Sequence, residues 1–336
     1  MKGENNMFDK LNLNLQMFNN TNVTTQTGEG QDLSAEMKTY YSNYLIDNAK
    51  PELVHDQFAQ KHPIPKNGGK TIEFRKYKAL QKALTPLTEG VTPNGNKLSV
   101  SILTATIAQY GDYIELSDIL QLTAIDNNLV QATKLLGNQA GLTLDTITRE
   151  VMNGGTNVIY SGGKAARSAL AAEDKLTVLD IQKAARFLKQ QNAKKIDKYF
   201  VGIIHPDTEF DLMRDPEWKD ASLYAGSTQL FEGEIGKIAG VRFVETTEAK
   251  IWEKAAASSS KDVYSTIILG ANAYGTTDVE GGGLQHIVKQ LGSSGTADPL
   301  NQRATAGWKA IKTAERLVEE YMVRIESCST FDAGAN

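Results

Sequence analysis

The chain has 336 residues, 40% of them hydrophobic and 23% charged, with a formal net charge of −4. That is enough chain for one large domain or two ordinary ones around a sizeable core, and it excludes a chain that stays unfolded throughout. The near-neutral charge argues against a strongly basic nucleic-acid binder, while leaving room for a local basic patch.

Residues 1–31 are rich in Asn, Thr and Gly. On composition this is a disordered tail. Yet Leu11, Leu13 and Leu15 alternate with asparagines in a strand-like pattern, and Phe18 follows. That alternation predicts an arm that orders against a neighbour. Asp32–Gln60 reads as helix, with Leu33, Met37, Tyr40, Tyr41, Tyr44 and Leu45 at helical spacing, a break at Pro51, and Phe58 beyond it. The tyrosines there read as a packing stripe rather than a stacking face.

His62–Leu116 reads as a long two-stranded hairpin, with extended segments at Thr71–Lys78 and Leu98–Leu116. The tip between them carries Pro86, Glu89, Gly90, Pro93, Asn94 and Gly95, which is turn chemistry. A ribbon of this length has little core of its own and needs a surface to lie on. Its first arm is basic (Lys66, Lys70, Arg75, Lys76, Lys78, Lys82) with Glu73 as the sole acid, which suits phosphate or an acidic protein surface, the ribbon's need for support favouring the protein.

Two helices follow, Asp118–Ala124 and Asn127–Asn153. The second, with Leu129, Ala132, Leu136, Ala140, Ile147 and Val151 on one stripe, spans roughly 40 Å. Gly154-Gly155 stops it. Thr156–Leu176 reads as loop and Thr177–Gln191 as helix. Tyr199–His205 is a buried strand stopped by Pro206, with a helix from Asp207. In Gly233–Thr247 a turn at Gly240 leads into the alternating strand Val241–Glu245, which is predicted to pair with the Tyr199 strand. Asp215–Phe231 reads as surface loop, Val263–Leu269 as buried strand, Gly275–Gln285 as loop and Ile287–Lys289 as a brief strand. Ala306–Leu317 is predicted to be helical before a strand at Val318–Glu326.

The search for chemistry is negative. The four histidines (His55, His62, His205, His286) include no pair at three- or four-residue spacing. His205 stands at a strand end beside Asp207, but no G-x-S-x-G elbow supplies a nucleophile. Gly163-Lys164 and Gly236-Lys237 lack the first Gly and the closing Ser or Thr of a phosphate loop. Cys328 is the single cysteine, so no disulfide forms within a chain, as suits a reducing cytoplasm. No run approaches the roughly 20 apolar residues of a membrane helix, and no signal peptide is evident. No catalytic residue, cofactor or metal is therefore assigned.

Read together, IHPD at 204–207, DLMRDPEW at 211–218, GEIGKIAGVRFVET at 233–246, LTPLTEGVTPNG at 84–95, GSSGTADPL at 292–300 and Gly307-Trp308-Lys309 resemble the major capsid proteins of tailed bacteriophages. The likeness runs from about Asp32 to Glu326 and is strongest to the branch typified by coliphage N-four. It implies an α+β chain with the tailed-phage major capsid protein fold, shared with encapsulins and the herpesvirus capsid floor. On that reading residues 1–31 are the N-terminal arm, 32–61 a helical segment and 62–116 the extended hairpin loop. Residues 117–174 form the peripheral domain with its spine helix, 175–300 the axial domain, and 301–336 the return to the peripheral domain and the C-terminus.

The resemblance also implies a non-enzymatic subunit of the virion, assembled in the host cytoplasm as pentamers and hexamers of an icosahedral shell around double-stranded DNA. Partners would be separate scaffolding and portal proteins and a possible decoration protein, with no membrane. The expected assembly residues are Leu11, Leu13, Leu15 and Phe18 on the arm, Arg75 and Lys76 on the hairpin, and Pro86, Glu89, Gly90, Pro93, Asn94 and Gly95 at its tip. The alternatives are an encapsulin-like shell around cargo enzymes and a hydrolase with a site near His205.

Overall fold

The structure, a computed structural model, describes residues 23–24, 54–64, 69–77, 80, 82–87, 89–92, 95–123, 128–219, 236–257, 261–279, 283–293 and 298–336. The described residues fall into two compact groups. The smaller takes in Gly111–Gly137 and His286–Trp308, and the larger most of the rest.

In the smaller group the strand β1 (Val23–Thr24) lies parallel to β5 (Ala108–Ser117), with Val23 opposite Glu115. The first half of β14 (Arg303–Arg316) pairs with β5 and with β13 (Gln285–Lys289). Gly307 lets β14 approach closely: a Cβ there would sit 2.8 Å from that of Tyr113. Helix α1 (Asp118–Thr123) follows β5, and its Leu120 packs with Leu116 and with Ala132 of α2 (Asn128–Asn153). The long helix predicted at Asn127–Asn153 is thus present almost to the residue.

The larger group is built on a mixed sheet of order β6-β15-β11-β7-β9-β8. Its strands are β6 (Val158–Tyr160), β7 (Phe200–Ile204), β8 (Lys237–Ile238), β9 (Val241–Glu245), β11 (Val263–Leu269) and β15 (Met322–Ser327), with β10 (Ile251–Trp252) on β11. Every residue of β7 and β11 is buried, because both faces are covered. One face packs Phe200, Ile204, Val241 and Ile268 under α3 (Val178–Gln190). The other packs Val201, Ile203, Ile267 and Leu269 with Met152 of α2 and Val54. Thr177, predicted as the first helical residue, instead caps α3, its side chain accepting the Asp180 N–H. The two predicted strands do pair, in parallel, with Phe200 opposite Val241. A side chain at Gly202 would meet the Phe243 ring at 2.7 Å, so glycine makes room for it.

Five expectations need correction. Ala306–Leu317 is not helix but most of the 14-residue strand β14, whose second half pairs antiparallel with β12 (Tyr274–Val279). The predicted loop Gly275–Gln285 thereby becomes largely strand. β12 pairs on its other side with β2 (Gln60–Ile64), in parallel. The predicted helix therefore does not extend through Gln60: residues 55–58 form turns, and residues 32–53 lie outside the described residues. Since His62–Ile64 belong to that sheet, the hairpin proper is shorter than predicted. Finally, the Thr156–Leu176 loop contains β6.

The buried stripe of α2 also differs in its second half. Asp145, Thr148, Arg149 and Met152 are buried there, while Ile147 and Val151 are only half-buried. Polar groups enter the core because each finds a partner: Arg149 donates to the Glu248 carbonyl at 2.9 Å, and Thr148 to Asp56 at 3.2 Å.

Candidate assembly interface

The hairpin is a two-stranded sheet of β3 (Thr71–Tyr77) and β4 (Val100–Thr106), antiparallel and in register from Thr71 opposite Thr106 to Tyr77 opposite Val100. Ile107 donates to the Lys70 carbonyl at 2.9 Å and closes its base. The Phe74 ring meets His62 of β2 edge-on at 5.1 Å, which ties the ribbon to the larger group.

Beyond that base the ribbon buries little. Of β4 only Ala105 is buried, and Tyr77, Leu80, Val91 and Ile102 are exposed. Leu84 is 82% and Leu98 73% exposed. Covering one such side chain is worth roughly 1.5–3 kcal/mol, so a row of them marks a surface that gains by being covered.

The residues expected to act in assembly divide as follows. Arg75 is exposed on β3 opposite Ile102, and Lys76 stands opposite Ser101. Pro86, Glu89, Gly90 and Gly95 are exposed in the tip, where Gly90 has a φ of 77° that suits glycine. Pro93 and Asn94, and the arm residues Leu11, Leu13, Leu15 and Phe18, lie outside the described residues.

The alternative site around His205 is built as a helix cap. His205 is the N-cap of α4 (Pro206–Met213), and its Nδ1 accepts the Asp207 N–H at 3.2 Å. The ring also hydrogen-bonds the Thr247 backbone and packs 5.1 Å from Tyr264. Burial holds its pKa below the ordinary histidine value, against the pull of the Asp207 charge. Asp207 in turn accepts from the Tyr264 hydroxyl at 2.7 Å. Among the described residues no cluster of three His, Cys, Asp or Glu side chains is placed to hold a metal. No described helix is long and apolar enough to cross a membrane. Cys328 is buried, and its thiol is pushed up to about 11 by burial and the nearby Asp174.

Sequence reasoning missed the polar clasp that holds the segment after β15. Asp211 of α4 accepts from the Ser329 hydroxyl at 2.8 Å, from the Thr330 amide at 2.8 Å and from the Thr330 hydroxyl. Burial would raise its pKa, but these bonds and that from Lys175 hold it below the usual carboxylate value. Nothing in the spacing of these residues signals the contact.

The geometry is therefore an exposed apolar ribbon whose base meets β2, a doubly covered sheet, and a His205 that caps a helix. A family model described as phage capsid protein matches residues 24–291. Among solved structures the chain is similar to the capsid of Ralstonia phage GP4, at 15% identity and a TM-score of 0.67, over 93% of this chain and 100% of that one. It is similar also to the capsid of cyanophage P-SCSP1u (14%, TM-score 0.67, 92% and 98% covered) and to that of cyanophage Pam1 (13%, 0.67, 91% and 100%). Comparison with curated proteins finds no match. At these identities the structural likenesses carry the fold, that of tailed-phage major capsid proteins. The family model matches most of the chain, and the chain belongs to the phage capsid protein family, as a structural subunit of the virion.

Proposed function

We propose that the subunit closes, as pentamers and hexamers, into the icosahedral head of a tailed phage, built in the host cytoplasm around double-stranded DNA. The observation that carries this reading is the hairpin β3–β4, with apolar side chains left exposed on a ribbon with which no other described strand pairs. It acts as the extended loop, lying on the neighbouring subunit through Arg75, Lys76 and the tip residues Pro86–Gly95. The arm, with Leu11, Leu13, Leu15 and Phe18, lies along adjacent subunits. In this assignment α2 is the spine helix of the peripheral domain, 175–300 the axial domain and 301–336 the chain's return to the peripheral domain. A separate scaffolding protein, a portal and any decoration protein complete the head. The sequence motifs favour the branch typified by coliphage N-four. The subunit has no catalytic activity, in keeping with the capping role of His205.

The test is to replace Pro86–Asn96 by an Asn-Gly turn. Electron microscopy should show uniform shells from the parent chain and none that are stable from the variant, whose free subunit unfolds at nearly the parent temperature. Shells as stable as the parent's would mean that the tip bridges nothing. Collapse of the subunit would place the hairpin in its own core.

A further inference from the structure

Basic side chains gather at one end of the sheet of the larger group. β7 and β9 run parallel from Phe200 and Val241, and β8 turns back onto β9 there through Ala239-Gly240. The C-terminus of α3 and the 191–199 connection reach the same end, where the Ala271 N–H donates to the Lys194 carbonyl at 2.8 Å. Exposed at this end are Arg186, Lys189, Lys194, Lys195, Lys198 and Lys237, with Arg242 opposite Lys237 in the β8–β9 register. Between Arg186 and Lys198 the sequence holds a single acid, Asp197.

Among the described residues none of these cations is in an ion pair, whereas Lys175, Lys183, Lys250, Lys261 and Lys312 each hold a carboxylate elsewhere. Lys195 and Lys237 lie over ring faces, those of Phe200 and Tyr199. The patch ends beside β15, where Glu319 and Glu320 precede Met322, the partner of Leu269.

We propose that this basic end binds the phosphate backbone of duplex DNA, weakly and without regard to sequence. Two observations favour a polyanion over a protein. The cations are mostly lysines, which protein interfaces disfavour. Among the described residues no large apolar side chain between Arg186 and Arg242 at this end is exposed, so the described patch lacks the apolar centre a protein partner would cover. Gln190, Gln191 and Asn192 add neutral donors that suit phosphate oxygens. The patch needs the reading of the chain as a head subunit only to supply its DNA.

The experiment is fluorescence anisotropy of a random-sequence 30-base-pair duplex with the full-length free subunit across a salt series. Lys194→Gln, Lys195→Gln and Lys198→Gln together should weaken binding at least tenfold at low salt and lower the slope of log K against log salt by about 2–3. A charge-matched control at exposed lysines elsewhere, Lys61→Gln, Lys134→Gln and Lys309→Gln, should bind as the parent does. Equal losses in both variants would reduce the effect to net charge and overturn the proposal. So would unchanged DNA affinity in the first variant. If that variant loses shell formation while its DNA affinity is unchanged, the patch is a contact between subunits. Shells that form normally but bind less DNA separate the proposal from the assembly reading.

Discussion

His55 and Asp145 grip each other twice. The His55 backbone N–H donates to Asp145 Oδ1 at 2.9 Å and its ring Nδ1 meets Oδ2 at 2.7 Å, with both side chains 1% exposed. The pair pins the segment before β2 to helix α2, and Tyr274 adds a hydrogen bond to the His55 carbonyl. Asp145→Ala would leave a buried amide and a buried imidazole without their acceptor, at a cost of about 3 kcal/mol. Asp145→Asn keeps an oxygen for the amide and should cost less. Chemical denaturation of the free subunit checks the order; equal stability of all three proteins would show that the pair holds nothing.

His205→Ala should cost about 1 kcal/mol, the usual effect of losing a helix N-cap, and His205→Asn less, since Asn also caps. Both variants should assemble. A hydrolytic activity of the parent that vanishes in His205→Asn, with assembly unchanged, would restore the enzyme reading.

Glu209 of α4 is buried beside Glu245, and its pKa is pushed from 4.5 up to about 7, by burial first and the Glu245 carboxylate second. The folded state therefore holds a proton that the unfolded chain releases near pH 4.5. This contribution is complete below that pH and is lost as the pH rises to about 7, a change on the order of 1–3 kcal/mol. Glu209→Gln should flatten that part of the stability profile between pH 5 and pH 7.5. An unchanged slope in thermal unfolding would locate the titration elsewhere.

Removing residues 1–20 spares the pairing of Val23 and Thr24 with β5. The truncated subunit should remain soluble with unaltered helix content by circular dichroism, yet form no shells or aberrant ones. Normal particles in electron micrographs would make the arm a passive tail.

Much of the fold was legible because periodicity and punctuation agreed. Thr177, Pro206 and Gly240 each mark a boundary that the structure keeps. β14 was not legible. Ala306, Ala310 and Ala314 recur at helical spacing, and only pairing with β12 and β5 turns them into a strand, so tertiary context overrides propensity. β12, with Gly275 and two threonines, carries too little apolar signal to be told from loop; its neighbours β2 and β14 lie far away in sequence. Similar distance hid the grip of Asp145 on His55, 90 residues apart. The basic hairpin arm drew notice because its charges are consecutive. The basic end of the sheet joins Lys237 and Arg242 to a cluster some 40 residues earlier, which only the β7–β9 pairing reveals.

The place of β15 between β11 and β6 bears on how the subunit is made. Met322–Ser327 follows both neighbours in the chain, so during translation each waits with an unsatisfied edge. The hairpin ending at Thr106 leaves the ribosome far earlier. At about 5–20 residues per second the interval is on the order of 10–40 s. Throughout it, the apolar ribbon stands exposed on a chain whose sheet is unfinished. Lys70 and Arg75 set charge among those apolar residues, and such gatekeepers keep neighbouring ribbons from pairing prematurely.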